Sequence, residues 1–360
     1  MTELRAVVSG LAVPCVVYAI VIALQLVLPA RSVTGYARDG EGKPLRYRLN
    51  GLFVAVVVIG LWANACKHEW IAWDLLWTDR FASLAGACTL GLVFTGVIVL
   101  TAPPTGAGLA KDLFLGRLWN PQRGRLDAKM SLYLLGAVML ALNVLSFAAH
   151  HVIAYRGDIS PGVCVYAAMF LFFLGEYLTF ERVHLYTYDL FAERVGFKLG
   201  WGCLTFYPYF YCIGLWSEAD RPDPHAPLAL TIASVIVFLC GWSLARGANL
   251  QKFRFKLDPT ASFLGIAPVA VRDDHHALLC SGFWRVSRHV NYLGEILMAV
   301  GLTLALGRPL DPIPWLYPIY YLALLIPRER DDDRRCAAKY GALWDTYKQR
   351  VRWRIIPRVY

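Results

Sequence analysis

Of 360 residues, 57% are apolar and only 17% are charged, and a water-soluble enzyme is excluded because soluble domains carry about 25% charged side chains. Mean hydropathy of +0.45 calls for many membrane spans, and the apolar runs are continuous, which excludes an alternating porin-like barrel. The net charge of +10 therefore reads as loop charge on the cytoplasmic side of a membrane protein, and nucleic acid is not expected as a partner.

In chain order, apolar runs lie near residues 7–29, 52–66, 81–101, 131–154, 162–180, 199–217, 228–245, 292–307 and 313–327. Nine helices follow, with a tenth span admitted at 278–292, although Arg285, Arg288 and His289 make that segment a poor one. The fold class expected is all-α: a polytopic membrane bundle of about 9–10 transmembrane helices. The segments 31–50, 102–130, 181–198 and 246–277, together with the tail from Arg328, hold 28 of the 36 Lys and Arg residues. By the positive-inside rule the C-terminal tail is cytoplasmic. The first apolar run is too long for a cleaved signal and is expected to stay in the membrane. Nine cysteines without a CxxC pair read as small buried thiols.

Polar residues become dense after Arg246 and interrupt helices, so chemistry is expected there. The division expected is 1–245 as the bundle that supplies a substrate pocket. The remainder, 246–360, would be a cofactor-binding part with two further spans and a tail, the two forming one integrated domain. Histidines show no HxxxH or HExxH spacing, so no metal is expected. No GxGxxG or GxxxxGK[ST] is present, so a phosphorylated cofactor has to be held by side chains. Lys252 and Lys256 lie four apart and share a helix face, as do Arg328, Asp332, Cys336 and Tyr340, with Lys339 and Tyr347 nearby. A solvated, ion-paired surface accounts for that second stripe equally well. The block from Ser281 to Tyr292 mixes aromatics with Arg285, Arg288 and Asn291, as a site for a planar anion requires.

Leu278-Leu279-Cys280-Ser281-Gly282-Phe283-Trp284 followed by Arg288-His289-Val290-Asn291-Tyr292-Leu293-Gly294-Glu295 resembles the corresponding block of the membrane sterol reductase family. That family comprises the carbon 7, 14 and 24 sterol reductases and the reductase domain of the lamin B receptor. Further likeness lies in Tyr47-Arg48-Leu49-Asn50-Gly51, Gly116-Arg117, Tyr188-Asp189, Gly196-Phe197, Asp332-Asp333, Lys339-Tyr340-Gly341 and the ending Arg354-Ile355-Ile356-Pro357.

The resemblance implies an enzyme that saturates a sterol carbon–carbon double bond with hydride from NADPH, with a slight lean to carbon 7 over carbons 14 and 24. It implies that Lys252 and Lys256 bind the adenosine phosphates. Leu279, Trp284, Arg288, Asn291, Tyr292, Arg328, Asp332, Cys336, Lys339, Tyr340 and Tyr347 would line the cofactor. An isolated alkene is a poor hydride acceptor, so a proton donor is required. Candidates are Tyr347, Tyr211, Glu176 and Glu295, with Asp332 as partner. The family's fifth-span tyrosine is Phe173 here, with Tyr177 one turn later, and the histidine that usually precedes Arg328 is Pro327, which is expected to alter a helix start. The run Phe206-Tyr207-Pro208-Tyr209-Phe210-Tyr211 is a candidate wall for the sterol. The membrane would be endoplasmic reticulum in a eukaryote or inner membrane in a bacterium, with membrane lipid as a partner. Two alternatives stand beside this reading: an S-adenosylmethionine-dependent methyltransferase of the isoprenylcysteine type, and a sterol-binding protein without catalysis.

Overall fold

The computed structural model describes residues 2–360, with side chains from Gly10 onward. All of the expected apolar runs are helical, and the chain divides into two compact units, 1–223 and 224–360.

In the first unit, α1 (Thr2–Val27) leads into an antiparallel hairpin, β1 (Arg31–Arg38) with β2 (Pro44–Leu49), that the apolar pattern does not foretell. Next come α2 (Gly51–Lys67), the short α3 (Leu75–Thr78), α4 (Arg80–Leu100) and α5 (Leu109–Leu115). A small hairpin of β3 (Gln122–Arg123) and β4 (Leu126–Asp127) precedes α6 (Ala128–Ala154) and α7 (Pro161–Thr179). Two short helices, α8 (Glu181–His184) and α9 (Tyr188–Ala192), then lead to the 199–217 run. That run is broken into α10 (Phe197–Trp201), a π-helical turn Gly202–Phe206, α11 (Tyr207–Phe210) and α12 (Ile213–Glu218).

The second unit begins with α13 (Leu228–Leu257) and the hairpin of β5 (Ala270–Arg272) with β6 (Ala277–Leu279). A 3₁₀ turn, Gly282–Arg285, leads to α14 (Val290–Ala305), α15 (Pro312–Tyr340) and α16 (Ala342–Arg350). Among the described residues, five helices are long and apolar enough to cross a bilayer: α1, α4, α6, α7 and α13; α2 and α14 are shorter apolar helices. The tenth span is not formed. Residues 278–289 make a strand end and a single 3₁₀ turn: Arg285 stays exposed, while Arg288 and His289 take buried polar positions. Pro327 is no helix start either: α15 runs through it, and through Pro318, to Tyr340.

A proline inside a membrane helix frees the carbonyl four residues earlier, and lipid offers that oxygen no partner. Two such oxygens are taken up by hydroxyls. Pro208 frees the Leu204 carbonyl, which accepts from the Tyr18 hydroxyl. Pro318 frees the Pro314 carbonyl, which accepts from Thr303 Oγ1 at 3.0 Å. Replacing Thr303 with valine keeps the shape and orphans that carbonyl. The expected cost is about 1–3 kcal/mol, read as a lower thermal midpoint in detergent.

The second unit is organised by the close approach of α13 and α14. A Cβ on Gly294 would lie 2.5 Å from both the Gly241 carbonyl and the Ala245 amide nitrogen, and one on Gly301 would lie 2.8 Å from the Ser234 carbonyl. Backbones this near leave no room for larger side chains, and small residues are what membrane helices use at such seams. Gly294→Ala is therefore expected to cost about 1–3 kcal/mol by overpacking. Gly60→Ala, whose added Cβ meets nothing within 4 Å, should leave the melt unchanged or slightly raised.

Candidate active site

Three segments of the second unit converge: the C-terminal turns of α13, residues 277–292, and the polar half of α15. Gln251 Oε1 accepts from the Phe283 amide at 3.0 Å, and its Nε2 donates to the Ser281 carbonyl at 3.2 Å. These bonds fix the strand-to-helix bend. Gly282 turns that bend at φ +61°, and a Cβ there would strike Gln251 Nε2 at 2.3 Å. Trp284 is thereby buried, its indole N–H donating to the Ala248 carbonyl at 2.9 Å, and Lys252 Nζ lies 5.0 Å from its ring centroid. Leu279 packs beside Trp284 in the same apolar cluster.

Across from this wall stands α15. Asp332 Oδ2 lies 3.9 Å from His289 Nε2, and Lys256 has Lys252, Lys339, Asp332 and Cys336 within electrostatic reach. The helix brings Arg328, Asp332, Cys336 and Tyr340 to a common stripe, as their spacing of four requires. Lys339 Nζ sits 5.1 Å from the Tyr340 ring centroid. Burial pushes the Asp332 carboxyl above its ordinary range, while Lys252, Lys256 and Arg335 pull it down. Burial also pushes the Cys336 thiol up to about 12, with Asp332 adding to that shift, so it stays a thiol.

Lys252 and Lys256 thus face one shared carboxylate, with Lys339 within reach of Lys256, a local cation excess that fits a polyanion. The buried His289 Nε2 and Asn291 Oδ1 have no hydrogen-bond partner among the described residues, as expected of groups that await a ligand. The lysines and the buried unpaired atoms beside Trp284 together fit an anionic ligand with polar edges.

Other expected site residues serve the frame. Arg288 is turned to the tail, where its Nη1 donates to the carbonyls of Val351 (2.9 Å) and Arg352 (2.8 Å). The backbone amides of Arg288 and His289 donate to Trp353 and Arg354 carbonyls at 2.9 and 2.8 Å, completing the clamp. Tyr292 stacks on His289 with ring centroids 4.9 Å apart. Tyr347 is buried with Trp344, Cys280, Val271 and Val351, and burial raises its phenol well above the usual range. A second lock ties the chain end to α15: Glu329, fully buried, accepts from Arg354 at 3.1 Å and from the Tyr360 hydroxyl at 3.1 Å.

The first unit holds Tyr211 and Glu176. Tyr211 stacks edge-on with Tyr207 at 4.7 Å, and its carbonyl accepts from the Tyr166 hydroxyl at 3.4 Å. Glu176 lies on the last turns of α7, beside Tyr177, whose ring is 4.0 Å from that of His184. Of the aromatic run, Phe206, Tyr209 and Phe210 line an apolar cavity of about 300 Å³ together with Trp201 and Trp216.

The sequence from residue 9 to 360 matches the Ergosterol biosynthesis ERG4/ERG24 family. The chain belongs to that family. Similar proteins include a Delta(14)-sterol reductase of Arabidopsis thaliana, 34% identical over 93% of this chain and 91% of the relative. A Delta(14)-sterol reductase of Methylotuvimicrobium alcaliphilum is 31% identical over 94% and 80%, and the Delta(14)-sterol reductase TM7SF2 of Mus musculus 32% over 92% and 81%. Like its apolar helices, membership marks the chain as a multi-pass membrane protein.

Within this ERG4/ERG24 member, sequence reasoning overlooked the roles of Gln251, Glu329 and the α13–α14 seam. The signal for the seam was present in Gly241-Trp-Ser-Leu-Ala245, a small-xxx-small pattern. His289 supplies a test of the burial described here. Burial, with Lys252, Arg288 and Arg354 adding to it, lowers its imidazole to about 3. The unfolded chain binds a proton near pH 6.5 that the folded one refuses until about pH 3. Its contribution is whole above pH 6.5 and is lost as pH falls through that window. The slope of thermal midpoint against pH below about 6.5 should therefore flatten in His289→Gln, whatever the absolute midpoint of the variant.

Proposed function

We propose that this chain reduces the carbon-14 double bond of a sterol, using NADPH held by the second unit. The observation that carries the reading is the convergence of Lys252 and Lys256 on one carboxylate, Asp332, beside Trp284, with Lys339 within reach of Lys256. The names of the relatives favour carbon 14 over the slight lean to carbon 7. In this reading Lys252 and Lys256 hold the phosphate groups, with Lys339 completing the rim, and Arg328 and Tyr340 extend the same stripe. Trp284 and Leu279 flank the flat rings, and Asn291 and His289 offer their unpaired atoms to polar edges. Bound NADPH supplies hydride.

What the chain's own residues must do is exclude water and deliver a proton to the alkene. Tyr347, buried and hard to ionise, is a wall and not a ready acid; Asp332 balances the lysines and orients the cofactor end. The first unit, taken by itself, has an apolar cavity suited to part of a lipid. Its cavity, walled by Phe206, Tyr209 and Phe210, lies at the small end of ligand pockets, so it holds part of a rigid polycyclic lipid instead of enclosing it. The distribution of Lys and Arg supports a cytosolic C-terminal tail, in endoplasmic reticulum or a bacterial inner membrane.

The test is direct. Purified protein in detergent is given NADPH and sterols unsaturated at carbon 14, 7 or 24, and products are weighed by mass spectrometry. A two-dalton gain in the carbon-14 substrate is the expected outcome; transfer of a methyl group from S-adenosylmethionine, or no reaction with any sterol, would overturn the reading. Lys252→Ala should weaken NADPH binding about tenfold or more, roughly 1.4 kcal/mol, and NADH by less than about twofold. Equal weakening of both would remove Lys252 from the phosphate contact.

A further inference from the structure

The seam between α13 and α14 sets two ionisable groups side by side at membrane depth. Arg246 follows Ala245 and Glu295 follows Gly294, the two small residues that meet across the seam, and the Arg246 guanidinium lies within electrostatic reach of the Glu295 carboxylate. From α15 the Tyr321 hydroxyl donates to Glu295 Oε2 at 3.4 Å, and the Tyr317 hydroxyl donates to Tyr321 at 3.2 Å. Arg246, Tyr317 and Tyr321 are all buried, whereas Glu295 is only half-buried. An apolar helix that retains a carboxylate needs a use for it. Glu295 also lies four residues after Asn291, on the face of α14 that begins at the lysine-rich rim.

We propose that Glu295 is the proton donor of the reduction, with Tyr321 and Tyr317 as positioning residues that receive the negative charge it is left with. This inference rests on the reading given under Proposed function and names the acid that reading requires. The two hydroxyls already point along one line toward the carboxylate, the arrangement that stabilises an ionised Glu295, and Arg246 adds a positive charge. When the carboxyl is protonated, rotation of each hydroxyl reverses the line without moving a heavy atom. In the reaction the O–H bond of Glu295 breaks and its electron pair stays on the carboxylate. The alkene π pair forms the new C–H bond at one carbon, and the other carbon accepts hydride from the reduced nicotinamide. Water restores the proton from the rim side, past Asn291, so each turnover consumes one proton and one hydride.

Groups of this unit that face Glu295 include Arg246 from α13 and Tyr321, with Tyr317 behind it, from α15. The protonated form is the active one, so turnover falls as pH rises through the donor's titration.

Two measurements test the assignment on the full-length protein in detergent. In steady state, Glu295→Gln is expected to bind NADPH within about twofold of the parent and to lose about a hundredfold or more in kcat, with the alkaline limb of the pH profile gone. Glu295→Asp should recover part of that loss. Tyr321→Phe should lower kcat about tenfold and shift the same limb, with KM little changed.

Independently of turnover, infrared difference spectra between acid and alkaline pH should show a titrating carboxyl band that is absent in Glu295→Gln and displaced in Tyr321→Phe. Turnover of Glu295→Gln within about threefold of the parent would overturn the assignment, as would a carboxyl band untouched by either substitution. If the parent reduces no sterol, the functional reading falls, and the infrared band alone decides whether Glu295 and Tyr321 share a proton. If Glu295→Gln fails to fold, Tyr321→Phe decides, since it keeps the ring and removes only the hydroxyl: an unchanged pH limb and band would sink the proposal.

Discussion

The contact on which the second unit depends is the near-touching of two helix backbones. Gly241, Ala245, Gly294 and Gly301 let α13 and α14 approach until one helix's carbonyls meet the other's glycines. In lipid there is no hydrophobic gain from burying one apolar helix against another, so such approach is favoured by dispersion and by the polar groups it brings together. The register that satisfies the glycines also fixes what stands beside them. Arg246 comes level with Glu295, and further along α13, beyond the start of α14, come Lys252 and Lys256, about two to three turns from Arg246. A side chain at any of these glycines would separate the backbones and, with them, the opposite charges whose pairing makes their presence in an apolar setting tolerable.

The cation-rich rim is held from the other side by the tail. Arg288 uses its guanidinium on the carbonyls of Val351 and Arg352, and Glu329 gathers Arg354 and Tyr360. They neutralise charge and satisfy backbone, and by doing so they hold α15 in the position from which Asp332, Cys336 and Lys339 face Lys256. A site for a polyanion built from repelling lysines needs such a frame, because without the ligand the lysines gain nothing from proximity. Asp332 supplies part of the counter-charge, and burial raises its own carboxyl in return.

Much of this was legible in the residues. Every apolar run became helix, and the fourfold spacings Lys252/Lys256 and Arg328/Asp332/Cys336/Tyr340 became shared faces, because a helix enforces them wherever it forms. Less legible were features set by tertiary partners. The β1–β2 hairpin depends on Tyr47 packing where Gly35 has no side chain, a pairing no local propensity reveals. Helix α15 runs through Pro327 where a fresh start was expected, since tertiary surroundings can carry a helix across a proline at membrane depth. Several stretches that carry the family likeness turn out to be joints. Asn50 donates to the carbonyls of Gln25 and Leu28 at the end of α1, and Arg117 donates to those of Val99 and Ala102 at the end of α4. Gly116 and Gly196 lie so close that a Cβ on either would strike the other's backbone. Shared motifs in this chain therefore report architecture as often as chemistry, and Arg288, which resemblance assigned to the cofactor, is an example.

The same separation explains why chemistry concentrates in one stretch of sequence. Joints need backbone carbonyls and one long donor, and they recur wherever a helix ends. Groups that are costly to bury gather elsewhere: an imidazole nitrogen at His289 and an amide oxygen at Asn291 without hydrogen-bond partners among the described residues, and a carboxylate inside an apolar helix at Glu295. All three lie within seven consecutive residues. A frame optimised only for stability would replace each with an apolar side chain, and in the function proposed above a bound, charged ligand is what compensates their joint presence at the mouth of the α13–α14 seam.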